Sequence, residues 1–236
     1  VEYSIGTFTD QQIQEWSKAK GHNNTSLADN PYLPENFDQL YSSCDQEPCK
    51  IDDSIITYWH FQDKSYKKPK AALNINLKNK TIVTNAKEAV LAKVLNTYLS
   101  SLLAYKSDFS SLLTEAGFSA QINVGKKGTS LSFSGFNDKF ALTFYDVLSR
   151  IHQLKIIPDL INQSIETTKK SFEKKVFEQS FLKAYYSYSD LLSNNFYTET
   201  NQAILSQITP QDLESFFKKV FKEGFLEVYS YGHLSK

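Results

Sequence analysis

The chain has no methionine, only two tryptophans and two cysteines, and just 8 glycines and 6 prolines among 236 residues. So few backbone breakers, beside 17 phenylalanines and 14 tyrosines, argue against disorder, which goes with a shortage of large apolar groups. There is no surplus of charge of either sign, because 26 basic residues balance 26 acidic ones. A nucleic-acid partner calls for a basic excess to neutralise phosphates, so none is expected. No apolar run approaches the ~18 residues of a membrane span, and no basic-then-apolar signal segment opens the chain. No membrane partner is expected either. With valine first and methionine nowhere, the chain reads as a piece cut from a longer polypeptide. Its length suits one large or two small domains, which bury roughly 70–75% of the unfolded surface.

The two cysteines, Cys44 and Cys49, flank Asp45-Gln46-Glu47-Pro48. Zinc needs three or four ligands, and no histidine or second cysteine pair lies nearby in sequence. A small disulfide needs only a tight loop, which Pro48 helps to close; two free thiols are the alternative. A bridge would imply an oxidising compartment, periplasmic or extracellular in preference to cytoplasmic. Glycosylation signals at Asn23, Asn24, Asn79 and Asn162 are too short to decide anything in so Asn- and Ser-rich a chain.

Along the chain, Thr9 caps a short helix over 10–20 with Ile13 and Trp16 on one face. Residues 21–53 show no sustained period and read as a linker, whose Tyr32, Leu33, Phe37, Leu40 and Tyr41 need a surface to pack on. Residues 1–53 are thus a leading-in segment and linker, and 54–236 a single domain. Strands are predicted over 54–61 and 71–77 from their alternation. A helix follows over 85–116, with Gly117 past its end. A hairpin over 119–124 and 129–136 turns at Gly125-Lys126-Lys127-Gly128. Helices are then expected over 138–154, 158–194 and 198–207. Thr209-Pro210-Gln211-Asp212 opens another, and a strand over 225–231 closes the unit. This order fits an α+β two-layer sandwich, an antiparallel sheet with helices packed on one face.

Catalytic constellations are missing. The four histidines, His22, His60, His152 and His233, include no pair one helical turn apart with a glutamate between, so neither H-E-x-x-H nor H-x-x-E-H occurs. Gly128-Thr129-Ser130-Leu131-Ser132 lacks the second glycine of a nucleophile elbow and leads into a strand. Gly125-Lys126-Lys127-Gly128-Thr129 has the wrong spacing for a phosphate loop and joins two strands. Lys169, Lys170, Lys174 and Lys175 alternate with Glu166, Glu173 and Glu178 as a solvated helix face does. Lys64, Lys67, Lys68 and Lys70 flank Tyr66, where a solvated surface is the plainer reading and an anionic partner the sharper one.

Several strings nevertheless occur together in a fixed order: Tyr3-Ser4-Ile5-Gly6-Thr7, Leu33-Pro34-Glu35-Asn36-Phe37 and Lys68-Pro69-Lys70-Ala71-Ala72-Leu73-Asn74. They are followed by Gly135-Phe136-Asn137-Asp138-Lys139, Lys175-Val176-Phe177-Glu178-Gln179, Ile208-Thr209-Pro210 and Tyr231-Gly232-His233. In this order the chain resembles the middle, third domain of the insulysin/pitrilysin zinc metallopeptidases, the insulinase family M16 of inverted zincins. The likeness covers essentially the whole chain. It implies the family's metallohydrolase-like fold without its metal ligands, so no catalytic or metal-binding residue carries over and substrate-binding residues stay unassigned. Zinc is expected only in a missing N-terminal catalytic domain of the parent. The implied partners are other domains of the same polypeptide and a peptide substrate. The implied role is a non-catalytic wall of a substrate-enclosing chamber, the alternative being a stand-alone peptide- or protein-binding module that uses a sheet edge. The Cys44/Cys49 loop is not required by the family pattern.

Overall fold

A computed structural model describes residues 8–18, 29–40, 48–79, 82–105, 108–152, 157–192 and 203–234. The chain divides into two compact units, Val1–Pro31 and Tyr32–Lys236. In the first, helix α1 (Asp10–Lys18) begins at a reciprocal cap. The Thr9 backbone N–H donates to Gln12 Oε1 at 3.0 Å, and the Gln12 N–H donates to Thr9 Oγ1 at 3.4 Å. Trp16 packs edge-on against Phe8 at 4.9 Å, yet no residue of α1 is buried.

The second unit holds six strands in one sheet: β1 (Cys49–Asp52), β2 (Ile56–Phe61), β3 (Lys70–Lys78), β4 (Ser119–Gly125), β5 (Gly128–Phe136) and β6 (Phe225–Gly232). They lie in the order β1-β2-β6-β3-β5-β4. The α+β sandwich is as expected, with one correction. The sheet is mixed, because β6 enters between β2 and β3 and runs parallel to β2, every other pair being antiparallel. β1 is also an addition, lying inside the stretch read as linker.

The longer helices described in this unit are α2 (Ala86–Leu102), α3 (Phe109–Glu115), α4 (Phe140–His152), α5 (Pro158–Val176), α6 (Ser180–Leu192) and α7 (Pro210–Lys222). The single helix expected over 85–116 is two. The first ends in i→i−3 bonds, Ala104 N–H to Ser101 O and Tyr105 N–H to Leu102 O. The second then brings Phe109 and Leu113 into a different core. The helix expected over 158–194 also divides, at Phe177–Gln179, where Phe177 N–H turns back to Lys174 O. Of the helix expected over 198–207, residues 203–205 are helical and 198–202 lie outside the described residues.

Two cores fill the space between helices and sheet. One joins Val90, Leu95, Tyr98 and Leu99 of α2 to Leu160, Ile161 and Phe172 of α5 and to Leu213, Phe216 and Val220 of α7, with Val124 beneath them. The other gathers Phe109, Phe118, Phe133, Phe140 and Val147 around Tyr32. Alternation along the strands sends one row of side chains to these cores and the other to the opposite face. Residues 32–40 cross the unit as a strap held mainly by polar contacts. Asp138 Oδ2 accepts the N–H groups of Glu35 and Asn36 at 2.8 and 3.1 Å, and Asn137 Nδ2 donates to Asp38 O at 2.8 Å. Tyr32 is buried and Phe37 rests edge-on against Phe136 at 5.6 Å with its outer side exposed, whereas Leu33 and Leu40 stay largely exposed, contrary to the packing expected of them; Tyr41 lies outside the described residues.

Candidate functional site: the helix-free face of the sheet

The residues singled out for chemistry do not converge on a centre. His60 and Ser230 meet on the helix side of neighbouring strands, His60 Nδ1 lying 2.7 Å from Ser230 Oγ, which is itself 2.7 Å from the Tyr58 hydroxyl. With exposures of 2% and 5%, His60 and Ser230 are out of reach of a substrate. His233 is fully buried, with Nδ1 3.0 Å from both Leu40 O and Gln62 Nε2, where it ties the strap to the end of the sheet. His152 is exposed at the last position of α4, and His22 lies outside the described residues. Among the described residues no group of three or more His, Cys, Asp or Glu could hold a metal, so the side chains here do not suit the family's zinc. Cys49 is disulfide-bonded; Cys44 lies outside the described residues. Gly125-Lys126-Lys127-Gly128 is a hairpin turn in which Gly125 pairs with Gly128.

What the fold does assemble is a surface. The row pointing away from the helices consists of Trp59 and Phe61 on β2, Tyr229 and Tyr231 on β6, Ala72 and Asn74 on β3, and Ser132 and Ser134 on β5, matched across the strands by the register. The rings of Phe61 and Tyr231 stack at 5.7 Å with 4° between planes. Along this stretch tall aromatic side chains thus stand on β2 and β6, while Ala72, Asn74, Ser132 and Ser134 on β3 and β5 are small; one repeat further the face ends in Lys70 and Phe136. The step between the tall and the small side chains forms a trough with two hollows that share Ala72 and Tyr231. One, of about 360 Å³, lies among Trp59, Phe61, Asn74 and Tyr229; the other, of about 420 Å³, reaches Lys68, Lys70 and Ser134.

At that second end Asp63 belongs to the connection between β2 and β3. The N–H of Tyr66 holds its carboxyl below the usual range, outweighing burial, and the N–H of Ser65, the nearby His233 and the Tyr231 hydroxyl act in the same direction. Burial and the neighbouring Asp63 charge raise the Tyr231 phenol in turn. The alternation of residues 54–61 and 225–231 announced these aromatic rows. Nothing in those two runs indicates that β2 and β6 lie side by side and so merge the rows into one wall.

Residues 1–204 match the family described as the middle or third domain of peptidase M16. The chain belongs to that family. This M16 middle domain is 25% identical over 239 residues to insulin-degrading enzyme-like 2 of Arabidopsis thaliana, covering 99% of this chain and 24% of the relative. It is 24% identical over 212 residues to the insulin-degrading enzyme of Drosophila melanogaster, covering 83% of this chain and 20% of that one. The chain therefore spans a quarter or less of the length of these curated relatives. In three dimensions it resembles pitrilysin with a TM-score of 0.78 at 18% identity, over 88% of this chain and 22% of pitrilysin. The M16 middle-domain match stops before α7 and β6, although β6 lies in the interior of the sheet.

Proposed function

We propose that this M16 middle domain is a non-catalytic wall of the substrate-enclosing chamber of a larger zinc metalloendopeptidase, with the helix-free face of its sheet turned toward the enclosed peptide. Zinc would be held by another domain of the same polypeptide. The observation that carries this reading is the trough. A broad sheet face on the side opposite the two cores, with exposed rings at Tyr229 (40% exposed) and Tyr231 (44%) beside the small side chains of Ala72, Asn74, Ser132 and Ser134, suits transient contact with many extended peptides. A wall contributes confinement: it limits the size of what enters and keeps a peptide aligned for chemistry carried out elsewhere. The disulfide at Cys49 supports an oxidising compartment, periplasmic or extracellular.

The alternative, a stand-alone module that captures a strand at a sheet edge, meets an obstacle at β4, where the backbone of Val124 is already occupied by the side chain of Asn96. Photo-crosslinking in the full-length polypeptide separates the two readings. A benzophenone side chain in place of Tyr229 should capture a peptide substrate, and one in place of Tyr185 on α6 should not. Capture only from the helix side, or zinc-dependent peptide hydrolysis by the purified 236-residue chain, would overturn the wall reading.

A further inference from the structure

We infer that the Lys68–Lys70 end of the trough is a subsite for an acidic side chain of an extended peptide, and that the hollow over Ala72 takes the apolar side chain two residues away. This rests on the helix-free face being the substrate side and adds a preference to it.

The geometry is set by β3. Lys70, Ala72 and Asn74 lie on the same face at the two-residue repeat of a strand, roughly 6.8 Å from one to the next. A peptide stretched along this trough has the same repeat, so alternate side chains fall in register with the hollows beneath them. Over Ala72 the floor is low and Tyr231 forms a wall, a space suited to an aliphatic or aromatic group. One repeat along, the chain meets Lys70, with Lys68 beside it on the β2–β3 connection.

The electrostatics favour an acid there. Lys68 and Lys70 are exposed, and among the described residues neither takes part in an ion pair. Lys70 Nζ rests 4.7 Å from the centre of the Phe136 ring, an arrangement that leaves its charge available at the rim. Asp63 is the one acid lining this hollow. Its Oδ1 accepts the N–H groups of Ser65 and Tyr66, each at 3.0 Å, and it also takes the Tyr231 hydroxyl, so its lone pairs are engaged in the turn. The other residues of the hollow are uncharged, leaving two cations to one committed carboxylate.

Exposed charges contribute little singly, so the subsite is expected to be weak on its own and effective where a peptide is confined beside it. That matches the demands of a wall. A tight site would retain the peptide, while a weak one biases which stretch lies along the face. The sequence pattern selected is an aspartate or glutamate two residues from an apolar residue, on either side of it.

The test titrates the 236-residue chain, by fluorescence anisotropy, into fluorescein-labelled octapeptides with blocked carboxyl termini. In one, serine alternates with leucine and glutamate; in the second, glutamine replaces glutamate. The first should bind about tenfold more tightly at low salt, a preference that the double variant Lys68→Glu/Lys70→Glu erases. Lys169→Glu/Lys170→Glu changes the net charge equally on exposed positions of α5 and should leave the preference intact. A third peptide, the glutamine form with a free terminal carboxylate, should bind like its blocked counterpart. Equal binding of the glutamate and glutamine peptides, or no binding of either, overturns the inference. So does equal loss in the two double variants, or a third peptide that binds like the glutamate form. None of these outcomes touches the wall reading, which is decided by crosslinking in the full polypeptide.

Discussion

Asn96 of α2 engages the backbone of Val124 as a neighbouring strand would. Its Oδ1 accepts the Val124 N–H at 2.7 Å, and its Nδ2 donates to the Val124 carbonyl at 3.0 Å. Val124 lies next to the Gly125–Gly128 pair that closes the hairpin, and its N–H and C=O turn outward from β5 at the edge of the sheet. One amide side chain therefore satisfies both groups and blunts the edge against pairing with another chain.

Asn96→Ala should cost about 2 kcal/mol, because it strands a backbone donor and acceptor beside the almost fully buried Val124. Asn96→Asp keeps an acceptor for the N–H but sets a carboxylate against the carbonyl, and should be about as harmful at neutral pH. Urea midpoints at unchanged slope measure both. A loss below about 0.5 kcal/mol for the alanine variant would show that the edge is not held this way.

Two ion pairs tie the first turn of α2 to the two ends of α7, Lys87 to Asp212 in its first turn and Glu88 to Lys219 in its last. Burial raises the Glu88 carboxyl, but Lys219 and the N–H and hydroxyl of Thr84 lower it by more, so its net shift is downward. A carboxyl whose folded pKa lies below its unfolded value contributes fully above the ordinary glutamate pKa of about 4.3. That contribution disappears as pH falls through the lowered folded value. Glu88→Gln should accordingly lower stability near pH 7 by about 1–2 kcal/mol and flatten the acid limb of the stability profile. Parallel acid limbs for the parent and the variant would contradict this.

How much of this was legible depended on whether the signal was local. The cap at Thr209 needs only four residues, and the structure completes it: Thr209 Oγ1 accepts the Asp212 N–H while Asp212 Oδ2 accepts the Thr209 N–H. The hairpin over 119–136 was equally plain from two alternating runs and a glycine-flanked pair of lysines. The break after Leu102 was not, because no glycine or proline marks it; the chain turns there so that Phe109 can reach the second core. The parallel β2–β6 pair was hidden for a related reason, since alternation reports which face is buried but not the direction of the neighbouring strand. The trough inherits that difficulty. Its side chains were visible in two strands, and their adjacency was not.

Tyr32 opens the strap and donates to Asp146 Oδ2 at 2.8 Å, with its ring edge-on to Phe109 at 5.6 Å. Burial, then the hydrogen bond to Asp146 and its charge, push the phenol up to about 12, with nearby Arg150 acting the other way. A phenol whose folded pKa exceeds its unfolded value stabilises the fold fully below about pH 10, and that stabilisation is lost as pH rises toward 12. Absorbance at the phenolate band should therefore show a late component to which Tyr32 contributes, beside the raised phenols of Tyr98 and Tyr231. Tyr32→Phe should shrink that component by one phenol and weaken the alkaline limb while leaving the sheet intact. A late component of unchanged amplitude in the variant would show that Tyr32 is not part of it.

The fold extends past the end of the family match. The family match stops at residue 204, but β6 (Phe225–Gly232) is hydrogen-bonded to β2 on one side and to β3 on the other. Deleting residues 205–236 would leave β1–β2 and β3–β5–β4 as separate ribbons with unpaired inner edges. It would also remove α7, whose Leu213, Phe216 and Val220 help close the first core. A two-stranded ribbon has little stability of its own, and the exposed edges invite association. The shortened chain should therefore lose cooperative urea unfolding and aggregate, whereas a chain begun at Tyr32, which keeps the whole sheet and the strap, should unfold cooperatively. Should the chain ending at 204 unfold with the full-length midpoint and slope, β6 would not be the central strand of a single cooperative unit.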